Sequence, residues 1–231
     1  MQDGTFATDG ETLAYSHHVP AGPPNEWALS LHGAGPAGRE RFRYLAEHLV
    51  SRGLSAFAFD FSGHGESTGK LRESSLVRRA VQAKAAIEFM PELPTVLIGT
   101  SMGGHVASSI VADTKAKFLI LFCPALYGDD CINLPFDERF TAAIRKPSSF
   151  EDSSVRSDLR KFKGRSLVVI GEEDKIIPRR VVEIYRQELQ ENSELTFVSL
   201  PGAPHNIHGW ATQNAGNMAM VLRAIDELLD A

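Results

Sequence analysis

The chain has little cysteine, no excess of positive charge and no long hydrophobic run. Two cysteines among 231 residues, Cys123 and Cys131, are too few for a disulfide framework and lack a C-x-x-C spacing, which suits a reducing compartment. The formal net charge of -5 gives no electrostatic reason to expect a nucleic-acid partner. No apolar run approaches the roughly 18 residues of a spanning helix, and residues 1–4 lack a signal-peptide pattern. We therefore expect a cytoplasmic protein without a membrane partner.

Strand-like and helix-like segments alternate along the chain. Asp9-Gly10 suits a type I′ turn and predicts a hairpin of segments 5–8 and 11–18. Further strands are predicted at 27–32, 55–61, 95–100, 117–124, 166–171 and 195–200, and helices at 39–52, 74–89, 102–113, 178–190 and 213–229. The later strands are nearly continuous apolar runs, which indicates a mostly parallel, doubly wound sheet covered by helices on both faces. The pattern predicts one α/β domain over 1–231.

Two other patterns bear on the organisation of the chain. Segment 125–164 breaks the alternation and is too long for a plain connection, so it is predicted to form a small cap or lid. The basic pairs Arg78-Arg79 and Arg179-Arg180 are expected on solvated helix faces.

A G-x-S-x-G sequence lies between a predicted strand and a predicted helix. It reads Gly99-Thr100-Ser101-Met102-Gly103. A serine on such a sharp turn needs neighbours without Cβ atoms, and its Oγ then projects clear of the sheet. The context predicts a nucleophile elbow in which Ser101 is the nucleophile.

A nucleophilic serine needs a base that accepts its proton and a carboxylate that orients the base. In enzymes with this elbow, the acid and then the histidine follow the serine along the chain. His205 stands in a loop just past the strand predicted at 195–200, where a base can reach over the sheet edge. His208 lies a few residues closer to the last helix, so we predict that His205 is the base.

The acid is expected at the end of a strand between the serine and the histidine. Glu172, Glu173 and Asp174 directly follow the strand predicted at 166–171, and we choose Asp174. Asp129 or Asp130, after the preceding strand, is the rival position for the acid. A hydrated loop explains the remaining acidic residues.

The transition state of acyl transfer also needs donors for its oxyanion. The backbone N–H of Met102, at the predicted start of a helix, is one candidate. The glycine-rich turn His32-Gly33-Ala34-Gly35 follows a predicted strand, and the N–H of Ala34 is the other.

Five segments, in order, resemble the α/β-hydrolase superfamily, in particular its monoacylglycerol-lipase-like and serine-aminopeptidase-like branch. They are His32-Gly33-Ala34-Gly35, Asp60-Phe61-Ser62-Gly63-His64-Gly65-Glu66-Ser67, Gly99-Thr100-Ser101-Met102-Gly103-Gly104, Gly171-Glu172-Glu173-Asp174 with Ile177-Pro178, and Pro204-His205. The resemblance implies a hydrolase of carboxylic esters, thioesters or amides that needs no metal and no organic cofactor. Thr100 stands where the lipases usually carry histidine, and the cap is shorter than theirs.

The short cap favours a small-molecule ester or thioester with a short to medium acyl chain, cleaved through an acyl-enzyme. A cap of this length can enclose only a limited number of methylenes. Its apolar and aromatic residues are the candidate substrate-binding lining, above all Leu126, Tyr127, Phe136 and Phe140, with Leu134 and Phe150.

Two alternatives come from other functional classes. Gly33, Gly35 and Gly38 form a G-x-G-x-x-G pattern, and Asp60 ends the next predicted strand, as in an NAD(P)-binding oxidoreductase. Against this, Pro36 has no N–H to offer a pyrophosphate, and a hairpin precedes the motif. A non-catalytic receptor or scaffold with a hydrolase fold would be favoured by a missing triad residue, and the sequence supplies all three.

Overall fold

One eight-stranded sheet forms the centre of the protein. The computed structural model describes residues 1–36, 38–191 and 193–230. The strands are β1 (Gln2–Thr8), β2 (Glu11–His18), β3 (Trp27–Leu31), β4 (Ser55–Phe59), β5 (Val96–Thr100), β6 (Phe118–Phe122), β7 (Arg165–Gly171) and β8 (Glu194–Leu200). Their order in the sheet is β1-β2-β4-β3-β5-β6-β7-β8. Strands β1 and β2 are antiparallel to their neighbours, whereas the six strands β3 to β8 are parallel to one another.

Helices cover both faces of the sheet. They are α1 (Arg43–Ser51), α2 (Leu76–Phe89), α3 (Met102–Ile110), α4 (Glu138–Ile144), α5 (Val155–Lys161), α6 (Arg179–Gln190), α7 (Ile207–Ala211) and α8 (Ala215–Asp230). Apolar side chains of α2, α3, α5 and α6 pack on one face. Those of α1, α7 and α8 pack on the other. All side chains of β4 and β5 are buried, as expected of strands covered on both sides.

The α/β-hydrolase fold with its mostly parallel sheet is confirmed, while several element boundaries differ. The predicted helix 39–52 begins with a 3-10 turn at Arg39–Phe42, and the predicted helix 102–113 ends with one at Val111–Asp113. Helix α7 was not predicted because it has only five residues. Ala37, in the G-x-G-x-x-G segment, lies outside the described residues.

The segment predicted as a cap divides into two parts. Val155 and Leu159 of α5 are buried in the core, together with side chains of α3 and α6. The later part of 125–164 therefore belongs to the helical layer on one face of the sheet. The earlier part, with α4, lies beside the carboxyl ends of the strands.

One prediction about the basic pairs is wrong. Arg179 and Arg180 are exposed, as expected, but Arg79 is fully buried. Its guanidinium group packs over the rings of Phe61 and Phe136, which come from segments far away in the sequence. Within the described residues, no helix combines the length and the apolar character needed to cross a membrane.

Candidate active site

Ser101 occupies a strained turn between β5 and α3. Its dihedral angles are φ 53° and ψ -118°, a conformation that residues with a Cβ atom seldom adopt. The neighbouring glycines leave no room for a side chain. A Cβ on Gly103 would lie 2.1 Å from the carbonyl oxygen of Leu31. The turn therefore packs directly on the end of β3 and holds the serine at the carboxyl ends of the parallel strands.

Three predicted side chains meet at these strand ends. The Oγ of Ser101 lies 3.0 Å from Nε2 of His205, in the loop after β8. The Nδ1 of the same ring lies 2.8 Å from Oδ2 of Asp174, which follows β7. An ionised carboxylate only accepts hydrogen bonds, so Nδ1 carries the ring proton and Nε2 accepts from the serine hydroxyl. This arrangement can remove a proton from Ser101 and hold the resulting imidazolium against a carboxylate.

The Asp174 carboxylate is held by several donors. Its Oδ1 accepts hydrogen bonds from the backbone N–H groups of Ile176 at 2.7 Å and Ile177 at 3.2 Å. Burial on its own would raise the pKa of Asp174. The hydrogen bonds from His205, Ile176 and Cys123 outweigh burial and lower this pKa to about 2. The carboxylate therefore stays ionised at every pH near neutrality.

The lowered pKa of Asp174 predicts a specific loss of stability in acid. A carboxyl group whose pKa is lower in the folded state stabilises the fold above its unfolded pKa, and this contribution disappears as the pH falls through the folded pKa. We expect a loss of about 2 kcal/mol between about pH 4 and pH 2. Urea unfolding of the wild type and of Asp174→Asn over this range measures it, because the variant has no carboxyl group to protonate there. Parallel stability curves for the two proteins would contradict the prediction.

Cys123 is a further neighbour of this carboxylate. It follows β6 with a positive φ of 41°, and its side chain is fully buried. Burial raises the pKa of the Cys123 thiol, which therefore remains protonated and donates a hydrogen bond to Asp174. The sulfur, a carboxylate oxygen and a ring nitrogen of His205 lie within 4.8 Å of one another. A metal ion here would have to displace the hydrogen bonds that join these groups to one another and to Ser101.

The rival site residues lie elsewhere. His208 is buried between Tyr44, whose hydroxyl is 2.9 Å from its Nδ1, and Thr100, whose Oγ1 is 2.7 Å from its Nε2. Burial lowers its pKa to about 3. Asp129 accepts hydrogen bonds from Ser154, and the Asp130 carboxylate lies 3.7 Å from Lys146. The structure thus brings the first-choice acid and base together with the serine, and places the rivals in other contacts.

The two predicted oxyanion donors belong to segments that flank Ser101. Met102 is the first residue of α3, where a backbone N–H has no acceptor within the helix. Gly33 packs against the elbow, since a Cβ placed on it would lie 3.1 Å from the Cβ of Ser101. Ala34 follows it and is exposed. Both N–H groups thus come from chain segments next to Ser101.

A cleft of about 360 Å³ opens beside Ser101. Leu126 and Tyr127, two of the residues predicted to bind substrate, lie in its wall. Ala125 adjoins them, and the remaining wall comes from two segments, one that begins at the end of α4 and one that leads from β7 into α6. They are Ile144, Arg145, Lys146, Pro147, Ser148, Ser149 and Phe150 on one side and Ile176, Ile177, Pro178 and Val181 on the other.

The other two predicted lining residues have packing contacts instead. The rings of Phe136 and Phe140 meet edge to face, with centroids 4.9 Å apart. Phe140 is buried in the core and also contacts the ring of Tyr127. Neither phenylalanine belongs to the described wall of the cleft. Their bulk attaches the segment around α4 to the body of the protein.

Comparison with known proteins assigns the chain to a family. The family described as "Serine aminopeptidase, S33" matches residues 22–148, which is more than half of the chain. The chain belongs to the serine aminopeptidase S33 family.

Relatives of this S33 chain include lipases. It is 33% identical over 128 residues to monoglyceride lipase of Homo sapiens, a match that covers 52% of this chain and 42% of the lipase. It is 31% identical over 133 residues to monoacylglycerol lipase of Mycolicibacterium smegmatis, covering 54% of this chain and 46% of that protein. The matches thus span less than half the length of these relatives. The solved structure of Paleococcus ferrophilus monoacylglycerol lipase shares the fold, with a TM-score of 0.70, 22% identity and coverage of 93% and 98%.

The acidic residue of the alternative dinucleotide motif is already engaged in this S33 chain. Asp60 is buried and forms an ion pair with Arg39, whose backbone N–H also donates to it. A Cβ on Gly38 or Gly65 would collide with the same carboxylate. Asp60 therefore fastens the loops after β3 and β4 together and is not available to a ribose.

Sequence reasoning did not identify two residues near the site. Cys123 lies at the end of a predicted strand that neighbours the strand before Asp174. Its place at this strand end was the feature of the sequence that could have identified it as a neighbour of the carboxylate. Arg79 lies on the face of α2 that also buries Leu76, Ala83 and Ala86. A charged residue at an apolar position of a helix could have indicated a buried arginine. That position can be recognised only once the boundaries of α2 are known.

Proposed function

We propose that this chain is a serine hydrolase that cleaves carboxylic esters or thioesters of short to medium acyl chain through an acyl-enzyme. The observation that carries the proposal is the continuous hydrogen-bonded series from Ser101 through His205 to Asp174. The lipase relatives support ester hydrolysis as the reaction class. We propose no metal, no organic cofactor and no nucleic-acid partner for the reaction.

In the first half of the proposed reaction, His205 Nε2 takes the hydroxyl proton of Ser101 while Oγ forms a bond to the substrate carbonyl carbon. The carbonyl oxygen becomes negatively charged and accepts hydrogen bonds from the N–H groups of Ala34 and Met102. The tetrahedral adduct then collapses, the bond to the leaving group breaks, and His205 gives its proton to the departing alcohol or thiol.

In the second half, water replaces the leaving group. His205 removes a proton from the water as its oxygen attacks the acyl carbon, and the same two N–H groups stabilise the second oxyanion. Collapse breaks the bond to Oγ, returns the proton to Ser101 and releases the carboxylic acid. Asp174 stays ionised throughout and orients the imidazole, which its lowered pKa permits.

A fluorophosphonate probe tests the proposal directly. Such a probe phosphonylates an activated serine, so we expect one label per chain, located on Ser101 by peptide mass spectrometry. An oxidoreductase or a non-catalytic scaffold of the same fold would remain unlabelled. Hydrolysis of p-nitrophenyl esters and acyl thioesters by the same preparation would then assign the substrate class. Absence of both labelling and turnover would refute the proposed function.

The size of the cleft predicts a limited preference for longer acyl chains. Each enclosed methylene contributes about 0.8 kcal/mol, or roughly a fourfold increase in kcat/KM. We expect kcat/KM for p-nitrophenyl esters to rise over the first few carbons and then to level off, because the wall is short and its rim carries Arg145 and Lys146. A steady rise to long-chain esters would contradict this.

A pair of surface variants isolates the contribution of the cleft. Ile176 lies in the cleft wall with its side chain largely exposed, so Ile176→Ser should fold normally and reduce kcat/KM for hexanoate more than for acetate. Leu93 is also an exposed apolar residue, but it lies away from the cleft. Leu93→Ser is the matched control and should leave the ratio of the two substrates unchanged.

A further inference from the structure

The Arg79 side chain is a buried cation beside the glycine-rich turn that contains Gly33 and Ala34. Its guanidinium carbon lies 4.7 Å from the ring centre of Phe61 and 5.2 Å from that of Phe136. Its Nη2 lies 3.5 Å from Nε2 of His64, and its Nε has no hydrogen-bond partner among the described residues. Burial lowers the pKa of Arg79 to about 10, which leaves it charged near neutrality.

Stability alone does not explain an arginine at this position. Removing a charge from water costs several kcal/mol, and a hydrophobic side chain of similar volume would fill the same space without that cost. Contacts with two aromatic rings recover part of the cost. The rest of this desolvation cost is explained if the guanidinium group serves the turn beside it, which contains Gly33 and Ala34.

Arg79 holds one particular carbonyl group. Its Nη1 donates to the carbonyl oxygen of Gly33 at 3.2 Å. The ring of His32 donates to the same oxygen from Nδ1 at 2.8 Å, since its Nε2 accepts from the backbone N–H of Phe61 at 3.0 Å. Burial, followed by the charge of Arg79, keeps the pKa of His32 well below its usual value, so the ring remains neutral in this role.

The geometry of the peptide bond transmits this contact to the site. The carbonyl of Gly33 and the N–H of Ala34 belong to the same peptide group. Every peptide bond between described residues is trans, so these two groups point in opposite directions. Two donors that fix the carbonyl therefore also fix the direction of the N–H, and Gly33 itself packs against Ser101.

We propose that Arg79 is a positioning residue for the oxyanion hole, which aims the N–H of Ala34 by holding the Gly33 carbonyl and places a positive charge behind it. This inference rests on the proposed function. A charge that polarises a peptide group strengthens its N–H as a donor, and the charge of Arg79 is little screened by water because the side chain is fully buried. The effect belongs to the transition state, where the substrate oxygen carries a full negative charge.

The test compares Arg79→Met with the wild type on p-nitrophenyl butyrate. Methionine keeps an unbranched side chain between the two rings but has neither charge nor donor. Removal of one oxyanion donor costs roughly 10²–10³ in kcat, so a misdirected donor should lower kcat by roughly 10- to 100-fold, with KM nearly unchanged. The inhibition constant of a butyl trifluoromethyl ketone, which forms a charged tetrahedral adduct with the serine, should rise in parallel.

Gln82→Leu is the matched control for disturbance of α2. Gln82 is also buried on this helix, and it holds Ser62 rather than Gly33. The control should keep the wild-type kcat and inhibition constant. A folded Arg79→Met protein with wild-type values for both, or an equal loss in Gln82→Leu, would overturn the inference.

A second variant covers the case in which Arg79→Met does not fold. Arg79→Lys keeps the buried stem and a charge, but a buried lysine loses its proton more readily than arginine. Its kcat should fall between pH 7 and pH 9.5 relative to that of the wild type, and profiles that run parallel would overturn the inference. Fluorophosphonate labelling of the wild type is measured in the same preparations. Absence of both labelling and turnover in the wild type refutes the proposed function. A labelled, active wild type together with wild-type kinetics in the Arg79 variants refutes this inference alone.

Discussion

Replacement of Ser101 by alanine is expected to reduce ester turnover by a factor of the order of 10⁶. The substitution removes only the hydroxyl oxygen, which is the proposed nucleophile. Alanine fits the same turn, although it keeps the unfavourable positive φ. The measurement is kcat/KM on p-nitrophenyl butyrate, with the thermal unfolding midpoint as a check that the fold is intact.

Ser109→Ala is the control for this variant. Ser109 lies on α3, the helix that follows Ser101, and its hydroxyl donates to the carbonyl of Val106 rather than to a site residue. We expect it to retain wild-type turnover. If Ser101→Ala kept more than a tenth of the wild-type rate, the nucleophile would have to be sought elsewhere.

Asp174→Asn is expected to lower kcat by about 10⁴, with little change in structure. An asparagine cannot stabilise the imidazolium that forms when His205 accepts a proton, and its amide can hold the ring in the wrong tautomer. The side chain is only 7% exposed, so water does not substitute for the lost charge. The quantity to measure is kcat under saturating substrate. The same measurement on His205→Ala should show a larger loss, nearly as great as that of Ser101→Ala.

Asp129→Asn provides the comparison for the acid. Asp129 stands in the rival segment and accepts its hydrogen bonds from Ser154, away from His205. Its amide variant should turn over substrate at the wild-type rate. Near-normal activity in Asp174→Asn, combined with a loss in Asp129→Asn, would move the acid to the loop after β6.

The sequence was sufficient to predict the parallel sheet because continuous apolar strands and periodic helices each report their own burial. It was also sufficient to select Ser101, Asp174 and His205. They stand at the carboxyl ends of predicted parallel strands, and parallel strands bring these ends together on one side of the sheet. The elbow shows that this is the side of the serine. Local patterns and chain order carry this information without any knowledge of packing.

The residues that escaped prediction depend on contacts between distant segments. Arg79 looks like half of an exposed basic pair until Phe61 and Phe136 are placed on either side of it. Phe136 and Phe140 look like lining for an acyl chain until they pack against each other and the core. A one-dimensional pattern reports which side chains avoid water, but not which partner each of them finds.

The position of β8 has a consequence for the order in which the protein loses activity and structure. This strand forms an edge of the sheet, most of its side chains are partly exposed, and the guanidinium of Arg186 lies over the ring of Phe197. His205 is carried on the loop that follows, separated from Ser101 by 104 positions in the chain. Edge elements open at lower free energy than central ones. Warming should therefore release the imidazole in a partial opening, so that amide hydrogen exchange of 195–200 accelerates and catalysis ceases before the central strands β3 and β5 unfold.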